Sequence, residues 1–485
     1  MINYIPIINI LILILFSFIM MLIKKNSIVK LISLSSNVFI FLLSILLVNK
    51  VIIEDVITLS IGNPNNLLGI EFYVGKSEAL VGLVFTFVMV MILWYSNFNL
   101  EKEVKENRLS FFYILINILL ASLLGVIYTN DLFNSYVFIE VSTLSACGII
   151  ILKDKKENIK ATVKYLIMST IGSGLVLMAI AYIYSITGHL NISNIHEIII
   201  NNYQFHRNAV LIILGLFTVG LGIKSAVFPL HSWLPDAHSS APTPASAALS
   251  ALVIKVYVFM LMKVLFRMFS YEIVNSFIIM DIILLLGSMG MIFGSIMAIM
   301  QKELKRMVAY SSVAQMGYIV FGIGLGTISG TAIAIYHIIG HAVTKSSLFL
   351  ISGLFIKKTG SKKIEDLKGI GKEMPLTLGL FTLGAFSMVG IPILPGFISK
   401  WYLSLTCIEV GRVPLILIIL ASSLLNLLYY FPIVINGYFG NDNLEGKIYK
   451  SKKVPFKRLL PIFLLVLSMI VIGGMSYNLI GLFSI

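Results

Sequence analysis

The sequence predicts an all-α membrane protein with fourteen transmembrane helices, and three observations support this fold class. The 485 residues are 58% hydrophobic and 12% charged, with a mean hydropathy of +0.98, a composition that soluble globular domains do not have. Fourteen apolar stretches approach the length of about 20 residues that crosses a bilayer core of roughly 30 Å. Basic residues are concentrated in alternate loops, which is the charge pattern of a multi-pass membrane protein.

The predicted spans share an apolar run between charged or turn-forming residues. They begin near Asn3, Ile28, Tyr73, Leu109, Leu132, Ile159, Asn208, Pro244, Val274, Met307, Thr331, Pro375, Pro414 and Leu459. The first stretch has no preceding lysine or arginine and no A-x-A-like cleavage site, so we expect it to be a retained span and not a signal peptide. Between Lys50 and Lys76, the alternating segments VITLSI and GIEFYV indicate an exposed β-hairpin.

The loops predict the orientation. Odd-numbered loops are rich in lysine, from Lys24 and Lys25 in the first to six lysines between Lys357 and Lys372 in the eleventh. Even-numbered loops carry few basic residues, and among the odd loops only the seventh, HSWLPDAHSSAPTP, has none. The positive-inside rule therefore places both termini outside the cytoplasm. It also accounts for the net charge of +14 without a nucleic-acid partner.

Several kinds of chemistry have no sequence motif in this chain. There is no GxxxxGK[ST] phosphate loop, no CxxC and no HExxH, so ATP hydrolysis and an iron–sulfur cluster are not expected. The two cysteines, Cys147 and Cys407, stand inside apolar stretches and are interpreted as core residues. We therefore predict no cofactor and no metal in this chain.

A broken helix from Leu211 to Asp236 carries the first candidate functional residue. Lys224 lies about midway, and Pro229 follows it. A charge at bilayer depth costs roughly 2.5–3.5 kcal/mol on insertion scales, and a proline there removes a backbone hydrogen bond. A carboxylate that approached or left Lys224 would switch the lysine between holding and releasing a proton, and Glu140 in the fifth span is the predicted partner.

Further ionisable residues lie at depth in other spans, and Lys255 and Lys400 are expected, like Lys224, to face the interior and to pair with an acid or with water. The further ionisable residues are Lys255 in the eighth span, His337, His341 and Lys345 in the eleventh, Lys400 after the second proline break in the twelfth, and Glu78 near the start of the third. Lys164 and Lys263, closer to span ends, are expected to extend to the membrane surface.

The spacing of four between His337, His341 and Lys345 places all three on one helix face, as in a file that passes protons. Two histidines at this spacing also suit a zinc ion, but no further soft ligand accompanies them. The remaining alternative is a pair of histidines that only pack within the core. Two histidines and a lysine on one face favour the proton file.

The motifs around these residues resemble the antiporter-like subunits of respiratory complex I and of the Mrp cation/proton antiporters. The similar stretches run in family order over roughly 105–435 and include NDLFNSYVFIEVSTLSACGII, GLGIKSAVFPLHSWLPDAHSSAPTPASAALSALVIKVYVF, LKRMVAYSSVAQMGYI, AIYHIIGHAVTKSSLFLISG and GIPILPGFISKWYL. Lysine at 400, where one complex I subunit type has glutamate, favours the D-type Mrp subunits. Subunits of membrane-bound hydrogenases are also similar.

The resemblance implies an organisation and a set of roles. Helices four to eight and nine to thirteen would form two inverted five-helix bundles, with helices seven and twelve broken. The corresponding regions are 1–108 with helices one to three, 109–268 and 269–440 with the two bundles, and 441–485 with a cytoplasmic loop and helix fourteen. The residues with implied roles in proton transfer along the membrane midplane are Glu140, Lys224, Lys255, His337, His341 and Lys400, and Lys345 joins them by its spacing.

The predicted function is translocation of protons, with or without sodium ions, in a multi-subunit cation/proton antiporter or a redox-driven ion pump of the prokaryotic cell membrane. Partners would be other membrane subunits, including paralogous antiporter-like ones, and any redox chemistry would belong to them. The alternatives are a stand-alone secondary solute/proton transporter and a non-conducting structural subunit. The last has no reason to keep several ionisable groups at depth.

Overall fold

The computed structural model describes residues 2–62, 69–440 and 455–483, and it confirms an all-helical membrane fold with one small β-hairpin. In this part of the chain, twelve helices are long and apolar enough to cross a bilayer. Two shorter apolar helices, Ile5–Met21 and Pro375–Val389, stand where the sequence predicts the first and twelfth spans. The count of fourteen spans stays a prediction, as does the division into two bundles.

The N-terminal region consists of three long helices and the hairpin. Its elements are α1 Ile5–Met21, α2 Asn26–Glu54, β1 Ile57–Ile61, β2 Ile70–Val74 and α3 Lys76–Asn99. The strands are antiparallel, with Ile57 opposite Val74 and Leu59 opposite Phe72. The predicted hairpin is confirmed, but it is not fully exposed, since the alternation of apolar and polar residues places Ile57, Phe72 and Val74 in the core.

The next region holds the first break. Its helices are α4 Leu109–Tyr128, α5 Leu132–Ile150, α6 Lys156–Thr187, the short α7 Ile192–Asn202, α8 Arg207–Lys224, α9 Leu234–Ser240, α10 Thr243–Ala248 and α11 Ile254–Met262. Two π-helical segments, Leu249–Val253 and Lys263–Met268, make α10 and α11 parts of one continuous helical span. The break that the sequence predicted after Lys224 separates α8 from α9.

The remaining helices hold the second break. They are α12 Tyr271–Asn275, α13 Ile279–Ile299, α14 Leu304–Gly324, α15 Ile328–Thr359, α16 Ile370–Glu373, α17 Pro375–Val389, α18 Pro395–Glu409, α19 Leu415–Phe439, α20 Phe456–Gly474 and α21 Ser476–Phe483. The second proline break, which the sequence predicted over Ile391 to Lys400, lies between Val389 and Pro395 and separates α17 from α18. The predicted loop between α19 and α20 lies largely outside the described residues.

Helix α15 is the central element of the structure. It packs against α3, α14, α17, α18 and α20, and every residue from Gly330 to Phe355 is buried. A helix that is buried on all sides can carry polar residues only if they meet partners inside the protein. Its histidines and its lysine are therefore interior groups.

Candidate functional site

Lys224 is the last residue of α8, at the first break. The last carbonyls of α8 are bound by the chain that follows: Ile223 O accepts from Trp233 Nε1 at 2.9 Å, and Leu221 O accepts from the amide of Ser225 at 2.8 Å. Ala226 then takes a left-handed conformation with φ of 54°. Because local donors satisfy the helix end, the Lys224 side chain is free to reach α5.

Lys224 forms the predicted pair with Glu140. Its Nζ lies 3.3 Å from Glu140 Oε1 and 3.0 Å from Thr143 Oγ1, and its side chain is fully buried. The hydroxyl of Ser173 on α6 donates to the same Glu140 oxygen, and Lys224 Nζ lies 5.6 Å from the centre of the Tyr257 ring. Three helices, α5, α6 and α11, therefore surround the ammonium group of α8.

Glu140 is less buried than the sequence predicted, since 32% of its side chain is exposed in this chain. The reason is the position of α5 at the edge of the helix bundle, where Val137 and Leu144 of the same helix are exposed. The carboxylate is therefore an ion-pair partner that also reaches the outer surface of the chain.

A close approach of α6 and α8 places Ser173 beside this pair. A Cβ added to Gly172 would lie 2.8 Å from the carbonyl oxygen of Gly220, and one added to Gly220 would lie 2.8 Å from the carbonyl oxygen of Gly172. Two glycines facing each other let helix backbones meet, as in other membrane helix pairs.

Lys255 is fully buried and binds within its own helical span. Its ammonium group donates to the carbonyl oxygen of Ser250, which lies in the π-helical segment just before α11. The hydroxyl of Ser250 is 2.8 Å from that of Ser312 on α14. The π-helical segment, a feature often found at functional sites, thus connects Lys255 to the second half of the chain.

The three residues of α15 lie on one face, as the spacing of four predicts. The rings of His337 and His341 are 5.7 Å apart, and His337 Nδ1 is 2.7 Å from Ser399 Oγ on α18. Lys345 donates to the carbonyl oxygen of Val308 at 2.8 Å and to the hydroxyl of Ser311, both on α14.

At the second break, Lys400 of α18 binds the C-terminal end of α17. Lys400 Nζ donates to the carbonyl oxygens of Met388 at 2.9 Å and Val389 at 2.8 Å, the last residues of α17. Carbonyls at a helix C-terminus have no partner within the helix and attract a cation. Gly390 follows with φ of 98°, and a Cβ there would lie 3.2 Å from the Lys400 side chain.

Lys224 has the acid partner that the sequence predicted. No ion pair joins Lys255, Lys345 or Lys400 to a carboxylate in the described part of the chain. These three lysines bind carbonyl and hydroxyl oxygens instead. A helix end receives Lys400, a π-helical segment receives Lys255, and acceptors within α14 receive Lys345.

Lys263 contradicts the expectation that it extends to the surface. It is 4% exposed and donates to the carbonyl oxygens of Val126 and Ile127 at the end of α4. A helix C-terminus provides the acceptors that the ammonium group would otherwise find in water. Glu78 is also buried and bonds to Arg267 at 2.6 Å.

Lys164 is half-exposed, and it belongs to an ion-pair group around Asp236 of α9. Asp236 Oδ2 is 2.8 Å from Lys164 Nζ on α6, and Oδ1 is 2.7 Å from Arg306 Nη1 on α14. Asp236 and Arg306 line a cleft of about 290 Å³ together with Glu157 and Lys362. The sequence showed Asp236 at the end of the broken helix but did not indicate this joining role.

Glu103 is a second group that the sequence did not indicate. It lies after α3, is bound to Lys153 Nζ at 2.6 Å, and accepts from the backbone amide of Thr243 at the start of α10 at 3.0 Å. Burial raises the pKa of this carboxyl group, but Lys305 and Lys153 lower it more, so that the pKa is about 2. A carboxylate at a helix N-terminus is favourable, and this one stabilises the start of the span that carries Lys255.

Comparison with known proteins decides the family. Residues 129–426, which include the first break, α15 and the second break, match the family described as NADH:quinone oxidoreductase/Mrp antiporter, transmembrane. The chain belongs to this family. It is therefore a multi-pass membrane protein of the antiporter-like type, as the motifs indicated.

Similar curated proteins include components of two kinds of assembly. The N subunit of NADH-quinone oxidoreductase from Desulforudis audaxviator is 35% identical over 85% of this chain and 83% of its own length. The D subunit of the Na(+)/H(+) antiporter from Alkalihalophilus pseudofirmus is 30% identical over 94% of this chain and 91% of its own length. The relatives thus include both branches that the resemblance named.

Solved structures of two complexes contain a similar chain. The membrane-bound sulfane sulfur reductase, an archaeal respiratory membrane complex, has one that is 27% identical with a TM-score of 0.87, covering 99% of this chain and 95% of that one. A chain of the Mrp complex from Dietzia sp. DQ12-45-1b is 19% identical with a TM-score of 0.89, covering 100% and 96%. The second comparison shows the fold alone.

Proposed function

We propose that this chain translocates protons, with or without sodium ions, as one membrane subunit of a multi-subunit cation/proton antiporter or of a redox-driven ion pump. The observation that carries the proposal is the set of ionisable side chains in the interior. Lys224 is fully buried against Glu140, and Lys255, His337, His341, Lys345 and Lys400 are 5% exposed or less. Charged or titratable groups at such depth are costly and mark ion pathways in membrane proteins.

Lys224 and Glu140 would form the switch of the first half of the path. The ammonium group keeps its proton while the carboxylate stays near, and it releases the proton when the carboxylate moves away. Glu140 sits at an edge of the bundle, where a neighbouring subunit could displace it. In the second half, His337 and His341 would pass the proton between Lys345 and Lys400.

The relatives support a place for this chain in a multi-subunit membrane complex. The D subunit of the antiporter and the N subunit of the oxidoreductase both act within larger assemblies by their names, and the similar solved chains belong to membrane complexes. We infer other membrane subunits as partners, including paralogous antiporter-like ones, in a prokaryotic cell membrane with both termini outside. Any redox cofactor would belong to those partners.

The test replaces Lys224 with alanine in the complete complex, reconstituted in vesicles. We expect Lys224→Ala to lower proton flux at least about a hundredfold while the complex still assembles, since a proton-transfer group contributes factors of about 10²–10⁴. Lys105→Ala is the matched control, because 68% of the Lys105 side chain is exposed and its ion pair lies at the surface. Unchanged flux in an assembled Lys224→Ala complex would refute the proposal.

Purification separates this proposal from a stand-alone solute/proton transporter. A chain that needs partners is expected to co-purify with them under mild detergent and to move no ions when reconstituted alone. A purified single chain that exchanges a solute for protons would show that the alternative is correct.

A further inference from the structure

Gln315, in the middle of α14, is a buried polar residue that is not among the residues of the proposed proton path. Its side chain is fully buried, and neither its amide nitrogen nor its amide oxygen has a hydrogen-bond partner among the described residues. Leaving a buried amide without partners is costly, and such groups in native proteins are normally bonded to protein or to internal water. Its surroundings therefore indicate what it binds.

The helical spacing places Gln315 on the face of α14 that meets the buried lysines. It follows Ser312 by three residues and Ser311 by four, so the three side chains share one face. Ser312 bonds to Ser250, whose carbonyl oxygen accepts from Lys255. Ser311 accepts from Lys345. Gln315 thus lies one helical turn beyond two groups that already bind lysines of the proposed path.

The packing of α14 against α15 places Gln315 level with His341. Ser311 meets Lys345, and the ring of Tyr318 lies 5.8 Å from that of His337, so the two helices run antiparallel. Four residues from Ser311 to Gln315 on α14 correspond to four residues from Lys345 back to His341 on α15. Gln315 and His341 are therefore each one helical turn from the contact between Ser311 and Lys345.

His341 is likewise buried without a hydrogen-bond partner among the described residues. It is 2% exposed, and neither ring nitrogen has a hydrogen-bond partner in the described chain. The ring of His337 is stacked on one side at 5.7 Å and supplies no hydrogen bond. Two buried side chains at one level thus present four polar atoms that no protein group satisfies. A water molecule with two to four polar partners is the usual solution in such a place.

We propose that Gln315 is a positioning residue that holds an internal water molecule against the His341 ring, and that this water connects His341 to the next proton carrier. The inference rests on the proposed proton path and adds a group to it. An amide suits this role because it donates and accepts at once and carries no charge of its own. It fixes the water without adding a charge to the lysines nearby.

The test uses two variants of the complete complex in vesicles. Gln315→Met keeps nearly the same volume and removes both polar atoms, and we expect about a tenfold loss of proton flux, the effect of one lost hydrogen bond to a reacting group. Gln315→Asn keeps the amide on a side chain one methylene shorter, and we expect flux within about threefold of the native chain. Loss in the first and rescue in the second separate the amide from mere packing.

Infrared difference spectra give the readout that packing alone would not move. We expect a band of a buried water that shifts on exchange to H₂¹⁸O and is lost in Gln315→Met and in His341→Ala. Native proton flux in Gln315→Met, or a water band that survives in that variant, would overturn the inference. Loss of proton flux in His341→Ala would leave the proposed function intact. Native flux in His341→Ala would refute the His341 step itself, and the inference with it.

Discussion

Replacing Glu140 with glutamine tests the electrostatic switch most directly. The substitution keeps the size of the side chain and a group that can accept from Ser173, but it removes the charge 3.3 Å from Lys224 Nζ. Two unit charges at that distance attract by about 5 kcal/mol at an effective dielectric constant of about 20. Because 32% of the Glu140 side chain is exposed, solvent screens part of this, and we take about 3 kcal/mol as the loss.

A loss of about 3 kcal/mol corresponds to about a hundredfold change in an equilibrium or rate. We therefore expect Glu140→Gln to lower proton flux about a hundredfold, measured with a pH-sensitive dye inside vesicles that contain the assembled complex. Glu140→Asp keeps the charge and should retain flux within about tenfold. Glu54→Gln removes a carboxylate that is 51% exposed and should change nothing measurable. Flux within about twofold of native in Glu140→Gln would show that the ion pair does not control transfer.

Two further predictions concern stability. Gly172→Ala places a methyl group 2.8 Å from the carbonyl oxygen of Gly220, so we expect a midpoint of thermal unfolding several degrees lower. Gly174→Ala is the control, because no atom lies within 4 Å of the added methyl group, and its midpoint should match that of the native chain. Equal midpoints for the two variants would contradict the close approach of α6 and α8. The pKa of Glu103 is about 2 against a usual 4.5, since burial raises it and the neighbouring lysines lower it more. Its stabilising effect, about 2 kcal/mol, is thus complete above pH 4.5 and decreases toward pH 2. Thermal unfolding in detergent should show Glu103→Gln less stable at pH 7 and the difference shrinking below pH 4.5, and a difference that is constant with pH would refute the assignment.

The sequence predicted those features that the bilayer imposes. Bilayer thickness sets the length of an apolar span, so the predicted starts lie close to the observed ones, with Leu132 and Pro375 in agreement and Val274 five residues before the start of α13 at Ile279. The breaks were equally visible, because each combines prolines with a lysine at membrane depth, and buried lysines are rare inside membrane helices.

The partners of Lys255 and Lys400 could not be predicted, since they are backbone carbonyls. Lys400 binds the end of α17, and Lys255 binds a π-helical segment, and neither acceptor differs in sequence from an ordinary helical residue. Lys263 was misjudged for the same reason, because the end of α4 that receives it is distant in sequence. Glu103 and Gln315 stand in stretches where only the folded structure shows what surrounds them.

Asp236 joins the two halves of the chain through two ion pairs. This carboxylate on the short helix α9 binds Lys164 of α6 with one oxygen and Arg306 of α14 with the other. A shift of α9 would therefore move one of these helices or break one of the ion pairs. Each of these half-exposed pairs is worth about 1 kcal/mol or less, which is about twice the thermal energy. The two pairs are therefore weak individually, and high salt is expected to loosen the connection of α9 to α6 and α14.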